Sequence, residues 1–118
     1  MATFSSIVRQ TQGSSVIDLS GDLDAHTAGQ LERTIQDLLN KDNFRIVVNF
    51  SKLNYISSAG LGVFMGFIDD VRSNGGDIKF SNMPGKIFQV FDLLGFPLLY
   101  EIFTDEKEAL EKFNLTPI

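Results

Sequence analysis

The chain has no cysteine, so it carries no disulfide, no cysteine nucleophile and no thiolate metal site. It has no tryptophan and a single histidine, His26. With Asp22 and Asp24 as its only acidic neighbours in that stretch, His26 falls short of the ligand number a metal requires. No metal and no cofactor are expected. No apolar run approaches the roughly 20 residues of a membrane-spanning helix. Residues 1–10 lack the basic start and long apolar stretch of a secretory leader. These two features together predict a cytoplasmic protein. Positive charge is scarce as well: ten Lys and Arg stand against fifteen Asp and Glu, a formal net charge of −5. No basic cluster offsets it, so a nucleic-acid backbone would be repelled. A basic protein surface is the better-matched partner.

What is present suits one compact domain, expected over residues 1–118, without internal repeats or a Pro/Gly-rich linker. Hydrophobic residues at 43% and charged residues at 21% are the proportions of a globular chain rather than a disordered one. Ile7 and Val8, then Val16, Ile17 and Leu19, are two β-prone runs around Thr11-Gln12-Gly13-Ser14, which predicts a hairpin or two neighbouring strands. Gly21-Asp22-Leu23-Asp24 breaks that pattern. From His26 the period changes, and Ala28, Leu31, Ile35, Leu38 and Leu39 form the stripe of a helix with one buried face. Asp24 or Thr27 is placed to cap it.

Residues 44–50 are nearly all apolar and β-branched or aromatic, the look of a strand buried on both faces. Residues 51–58 read as a connecting loop. A second amphipathic helix follows through Leu61, Val63, Phe64, Phe67, Ile68 and Val71, ending near Asn74-Gly75-Gly76. Residues 77–81 are a short strand, and Pro84 opens a third helix that stops at Gly95. Residues 98–102 suit a last strand, and Thr104-Asp105-Glu106-Lys107 caps a final helix through Phe113. The order ββαβαβαβα predicts an α/β fold: a mixed, mostly parallel sheet of four to five strands flanked by about four helices. Eleven phenylalanines, most at core-periodic positions, read as packing.

The stretch that carries function is Leu53-Asn54-Tyr55-Ile56-Ser57-Ser58-Ala59-Gly60-Leu61-Gly62, between the buried strand and the second helix. That is the end of the sheet where α/β proteins place their working surface. Ser57 and Ser58 fall in the helix N-cap region, where their hydroxyls can accept hydrogen bonds from free backbone N–H groups. Ala59, Gly60 and Gly62 leave room for another backbone to approach. On these residues alone, a purely structural cap and a docking surface both stand. Ser58, His26 and an acid would need a Gly-x-Ser-x-Gly elbow to make a hydrolase, and none occurs. Gly60-Leu61-Gly62 lacks the third glycine and the lysine of a phosphate-cradling loop. No enzyme is expected.

At these residues the chain resembles the STAS family, and within it the anti-sigma factor antagonists. The family carries Asp-Ser-(Ser/Thr/Ala)-Gly-Leu-Gly at this turn, and Ser57-Ser58-Ala59-Gly60-Leu61-Gly62 matches it with one departure, Ser57 in place of aspartate. Gly21-Asp22-Leu23-Asp24 is similar to the family's Gly-(Glu/Asp)-(Leu/Ile)-Asp segment before its first helix. Val47-Val48-Asn49-Phe50-Ser51 and Leu93-Leu94-Gly95-Phe96 fit its buried strand and the end of its third helix. The matches follow one another in order over about residues 5 to 113.

The resemblance implies a switch. In such proteins the turn serine is phosphorylated by a partner serine kinase that doubles as an anti-sigma factor. The unmodified domain binds that partner, and a PP2C-type serine phosphatase resets it. In the Asp-Ser-Ala-Gly-Leu-Gly form the acceptor lies two places before glycine, which is Ser58; the form with the acceptor next to glycine would place it at Ala59. Ser58 is the expected phosphorylation site and Ser57 the runner-up. The implied partner surface comprises Asp22, Asp24, Ser57, Ser58, Ala59, Gly60, Leu61 and Gly62. Asp24 either sits beside Ser58 or caps the first helix. The competing reading is a STAS adaptor without a phosphorylation cycle, for example on a membrane transport complex.

Overall fold

In the computed structural model, which describes residues 3–115, alternation and turn chemistry shape the first two elements. Strands β1 (Ser5–Thr11) and β2 (Ser14–Leu23) pair antiparallel from Ser5 opposite Ser20 to Thr11 opposite Ser14. The two residues between them, Gln12 and Gly13, both have positive φ, at 52° and 79°. That is the backbone a two-residue hairpin turn demands. The outermost residues of the expected domain, 1–2 and 116–118, lie outside the described residues.

Strand β2 then pairs parallel with β3 (Arg45–Ile56), β3 with β4 (Asp77–Ser81), and β4 with β5 (Ile102–Phe103). The five strands therefore lie in chain order across one mixed, mostly parallel sheet, as expected. Parallel neighbours need crossovers, and these are α1 (Ala28–Asn40), α2 (Ser58–Ser73) and α3 (Gly85–Leu93). Crossovers of one hand between strands added in one direction place all three helices on the same face. The last helix, α4 (Glu106–Leu115), covers the other.

Side chains alternate between the faces at period two. Val16 and Val47 pack with Ala109, Leu110 and Phe113 of α4. Their neighbours Ile17, Ile46 and Val48 point into the larger core under the three crossover helices. That core is built on rings: Phe50, Phe64, Phe80, Phe91, Phe96 and Tyr100 lie with adjacent centroids 4.8 to 6.0 Å apart, most in edge-to-face contact. The buried centre of β3 and the packing role of most phenylalanines agree with the sequence pattern.

Three expectations need correction. Residues 51–56 are not a loop but the second half of β3, paired with β2 as far as Leu23 opposite Ile56. Register shifts at Asp18/Ser20 and Gly21/Asp22 change the burial period there. Phe50, Leu53 and Ile56 are buried while the residues between them are exposed, a spacing that alternation does not recognise as strand. Gly21 does not end β2 either. It has φ +85°, and a Cβ there would lie 1.7 Å from the Thr3 carbonyl oxygen, so glycine lets the strand continue through an irregularity. Finally, of residues 98–102 only Ile102 belongs to a strand. Gly95 with φ 77° ends α3, and a 3-10 turn at Phe96–Leu98 buries Phe96 and Tyr100, whose rings stack at 5.3 Å. The strand proper is the two residues of β5.

Candidate functional site

Because β2 and β3 run on together past the ends of the other strands, their tips form a projecting corner from which α2 starts. Ser57 is extended (φ −102°, ψ 173°) at the N-cap position, and Ser58 is the first helical residue. Neither hydroxyl caps the helix, contrary to expectation. The Oγ of Ser57 is sealed from solvent and bonds to no protein group. Backbone and packing hold the corner instead. The Ser57 N–H donates to the Leu23 carbonyl at 2.9 Å, and the Leu61 N–H donates to the Ser57 carbonyl at 3.1 Å.

Gly60 explains how close these tips can come. A Cβ at Gly60 would stand 2.6 Å from Cγ and 2.9 Å from Cδ2 of Leu23, and 3.1 Å from Cγ1 of Ile56. Its missing side chain lets α2 seat on the ends of β2 and β3, so its service is inward rather than toward a visitor. Leu61 is buried beside it. Gly62 is different: nothing lies within 4 Å of the position its Cβ would take. Ser58, Ala59 and Gly62 are exposed, whereas Asp22, Asp24 and Ser57 are half-buried. The two sequence motifs thus meet in space through Leu23, with Ser58 on the outer side of the contact.

Asp24 has a definite local role. Its Oδ1 accepts from the N–H groups of His26 at 2.9 Å and Thr27 at 3.2 Å. The Thr27 hydroxyl accepts from the Asp24 N–H and donates to the Asp22 carbonyl, each at 2.9 Å. Asp24 therefore shapes the turn that leads into α1 without capping the helix, whose N-cap is Thr27 and makes no side-chain cap hydrogen bond. His26 is exposed at the tip of that turn. No group of three or more metal-ligating side chains occurs among the described residues. Sequence reasoning missed two exposed apolar side chains at this end, Tyr55 on β3 and Met65 on α2. Met65 lies seven residues after Ser58, two helical turns along the same stripe, and that spacing was the available signal.

Electrostatically the corner suits an anion. The first turn of α2 contains no acidic side chain, and no side chain caps it. Its free N–H groups and the positive end of the helix dipole stand open beside Ser58.

Comparison with known proteins identifies the family and the fold. The STAS domain model matches residues 5–109. The anti-sigma-B factor antagonist of Bacillus subtilis (strain 168) is 27% identical over 96 residues, covering 80% of this chain and 86% of that protein. An anti-sigma factor antagonist from Mycobacterium paratuberculosis shares the fold with a TM-score of 0.86 at 20% identity, over 95% of each chain. The anti-sigma factor antagonist SpoIIAA in its unphosphorylated form has a TM-score of 0.80 at 23% identity, covering 98% of this chain and 100% of that one. Its phosphorylated form, described as a Bacillus cell fate determinant, has a TM-score of 0.71 at 24% identity, covering 94% and 99%. With the family model matching residues 5–109, this chain belongs to the STAS domain family.

Proposed function

We propose that the chain is a phosphorylation-switched, protein-binding regulator that works in the cytoplasm and catalyses nothing itself. Its unmodified Ser58 face docks a serine kinase that doubles as an anti-sigma factor, and a PP2C-type serine phosphatase restores it after modification. The observation that carries this reading is the contrast between two adjacent hydroxyls. Ser58 is exposed, with its hydroxyl committed to no partner, while the Ser57 Oγ is sealed inside the corner. A kinase reaches the first without disturbing the fold; reaching the second means lifting α2 off Leu23.

The physics of the switch follows from where Ser58 sits. A phosphate adds about −1.5 to −2 charges at neutral pH. On a free helix N-terminus that charge is tolerated, because N–H groups and the dipole face it. Under a docked protein without a cationic match, the same dianion costs several kcal/mol, and about 1.4 kcal/mol is already a tenfold loss of affinity. One modification therefore dissolves a complex and leaves the domain standing. Ala59 and Gly62, exposed beside the hydroxyl, let a partner's backbone come close. The named antagonists among the similar proteins support the same reading.

The test begins with the protein recovered from its own cell. Intact mass is expected to show a population carrying one phosphate, mapped to Ser58, removed by a PP2C-type phosphatase and lost in Ser58→Ala. The proteins recovered with it are expected to include a serine kinase, and Ser58→Asp is expected to lose that kinase while melting within a degree or two of the parent. Persistent binding by Ser58→Asp would sink the switch. Binding without phosphate on any serine would instead support the adaptor reading.

A further inference from the structure

The hydroxyl of Thr27 bonds to the wrong neighbour for a helix cap. Thr27 stands at the N-cap of α1, yet its side chain makes no cap hydrogen bond there. It reaches back to the end of β2 instead. Its Oγ1 donates to the Asp22 carbonyl at 2.9 Å and accepts from the Asp24 N–H at 2.9 Å. Those two backbone groups flank Leu23, so one half-buried hydroxyl holds the chain on both sides of that residue.

Leu23 is where α2 is seated. It is wholly buried and stands opposite Ile56 in the last pair of the β2–β3 ladder. Its carbonyl accepts the Ser57 N–H at 2.9 Å. Its side chain fills the space that a Cβ at Gly60 would need. Ser58 lies between those two attachments, Ser57 and Gly60, and has no attachment of its own to β2.

We infer that Thr27 is a positioning residue for Ser58: through Leu23, its hydroxyl sets where α2 begins and so where the Ser58 side chain stands. The effect on phosphorylation rests on the switch proposed above; the seating of α2 on Leu23 does not. Two features of the corner make an outside tether necessary. Both register shifts of the β2–β3 ladder fall between Asp18 and Asp22. Such irregularities disrupt pairing locally, so the ladder alone holds the tip of β2 loosely. The start of α2 also lacks a side-chain cap, which leaves the bond to Leu23 and the packing of Gly60 to locate it.

Removing the hydroxyl is a clean perturbation. The Thr27 and His26 N–H groups keep their bonds to Asp24 Oδ1, and the Ala28 N–H keeps its bond to the Asp24 carbonyl at 2.8 Å. The turn into α1 therefore survives, while the Asp22 carbonyl and the Asp24 N–H lose their shared partner. A misplacement of about 1 Å at a reacting group can lower a rate on the order of a hundredfold.

The experiment compares the whole chain with Thr27→Val, which keeps the branched shape without the hydroxyl, and with Thr27→Ser, which keeps the hydroxyl. Thr27→Ala repeats the loss with a smaller side chain, and melting curves verify that each protein is folded. Amide hydrogen exchange is followed by NMR at Ser57, with Val48 in the buried centre of β3 as reference. In Thr27→Val and Thr27→Ala the Ser57 amide is expected to exchange about tenfold faster, beyond any change at Val48. Thr27→Ser is expected to match the parent. The same proteins are then given ATP and the serine kinase recovered with the parent, and the phosphate on Ser58 is timed by intact mass. The variants without the hydroxyl are expected to lose about tenfold in kcat with KM nearly unchanged, because a displaced acceptor still docks but is no longer aligned. Thr27→Ser restores the rate. Unchanged exchange at Ser57 in Thr27→Val overturns the inference. So does a change shared evenly by Ser57 and Val48, the mark of a purely structural threonine, and so does faster exchange with no loss of kcat. A parent that takes no phosphate sinks the switch, whereas faster exchange confined to Ser57 still supports the seating role, so the two proposals fail separately.

Discussion

The face of the sheet under α1, α2 and α3 and the face under α4 are covered by different means. The first is dry. Its rings and branched aliphatics, Phe50, Phe64, Phe80 and Phe91 among them, are fully removed from water. The second has a small apolar patch of Val16, Val47, Ala109, Leu110 and Phe113, with charged groups around its margin. Arg9 donates to both oxygens of Asp18, at 2.6 and 2.9 Å, and to Glu106 at 2.6 and 3.3 Å. Asn49 donates to Glu106 at 3.0 Å. The hydrogen bonds from Arg9 hold the Glu106 carboxyl below its ordinary value. Lys79, nearly buried, bonds to Asp77 and Glu101 and stands 4.7 Å from the ring centre of Phe113.

The difference teaches where stability resides. Apolar burial contributes about 1.5–3 kcal/mol per large side chain, whereas an exposed ion pair contributes about 1 kcal/mol or less. The three-helix face therefore carries the fold, and the margin of α4 chiefly orients one helix. Four substitutions put that contrast at risk. Phe80→Ala removes a ring that touches Phe50, Phe64, Phe91 and Tyr100, and is expected to cost about 3–5 kcal/mol in urea unfolding. A loss below 1 kcal/mol would mean that the ring cluster does not dominate. Gly60→Val forces a branched side chain against Leu23 where even a Cβ stands too close; the expected loss is about 2–3 kcal/mol, read as a lower melting temperature.

Tyr100 probes the dry face through pH. Burial pushes its hydroxyl up to about 12 from 10.0, and its oxygen bonds to no protein group. A group that holds its proton more tightly when folded adds stability that is complete below pH 10 and lost as pH rises toward 12. About 2 kcal/mol should disappear across that window. The loss should be blunted in Tyr100→Phe, which at neutral pH is expected to be as stable as the parent. An unchanged alkaline profile in that variant would assign the effect elsewhere. Arg9→Ala should be the mildest: it breaks half-exposed pairs and is expected to cost less than 1 kcal/mol, chiefly loosening α4 in hydrogen exchange. A cost comparable to Phe80→Ala would erase the distinction between the faces.

Legibility varied along the chain for physical reasons. The stripe of α1, the continuous apolar centre of β3 and the caps around Asp105 could be read, because each depends on residues a few places apart. Asp105 does accept from the Glu108 N–H, at 2.9 Å. The second half of β3 could not, because its period of three arises from register shifts against β2. Nor could the stretch after Gly95, where Phe96 and Tyr100 turn inward as a pair and leave Leu98 and Leu99 outside. At the candidate site, the order Ser57-Ser58-Ala59-Gly60-Leu61-Gly62 located the corner. It did not distinguish the two serines, since a single turn of backbone decides which hydroxyl faces water.

By itself the sequence determined the alternation of strands and helices, the shared sheet and the position of the corner before α2. Those follow from local propensity and hydrophobic period, which act between near neighbours. Tertiary structure alone decided that Gly60 serves Leu23 while Gly62 stays open, and that Asp24 shapes its own turn. Each of those depends on which distant segments come within a few ångströms of one another, and contacts of that kind have no period along the chain.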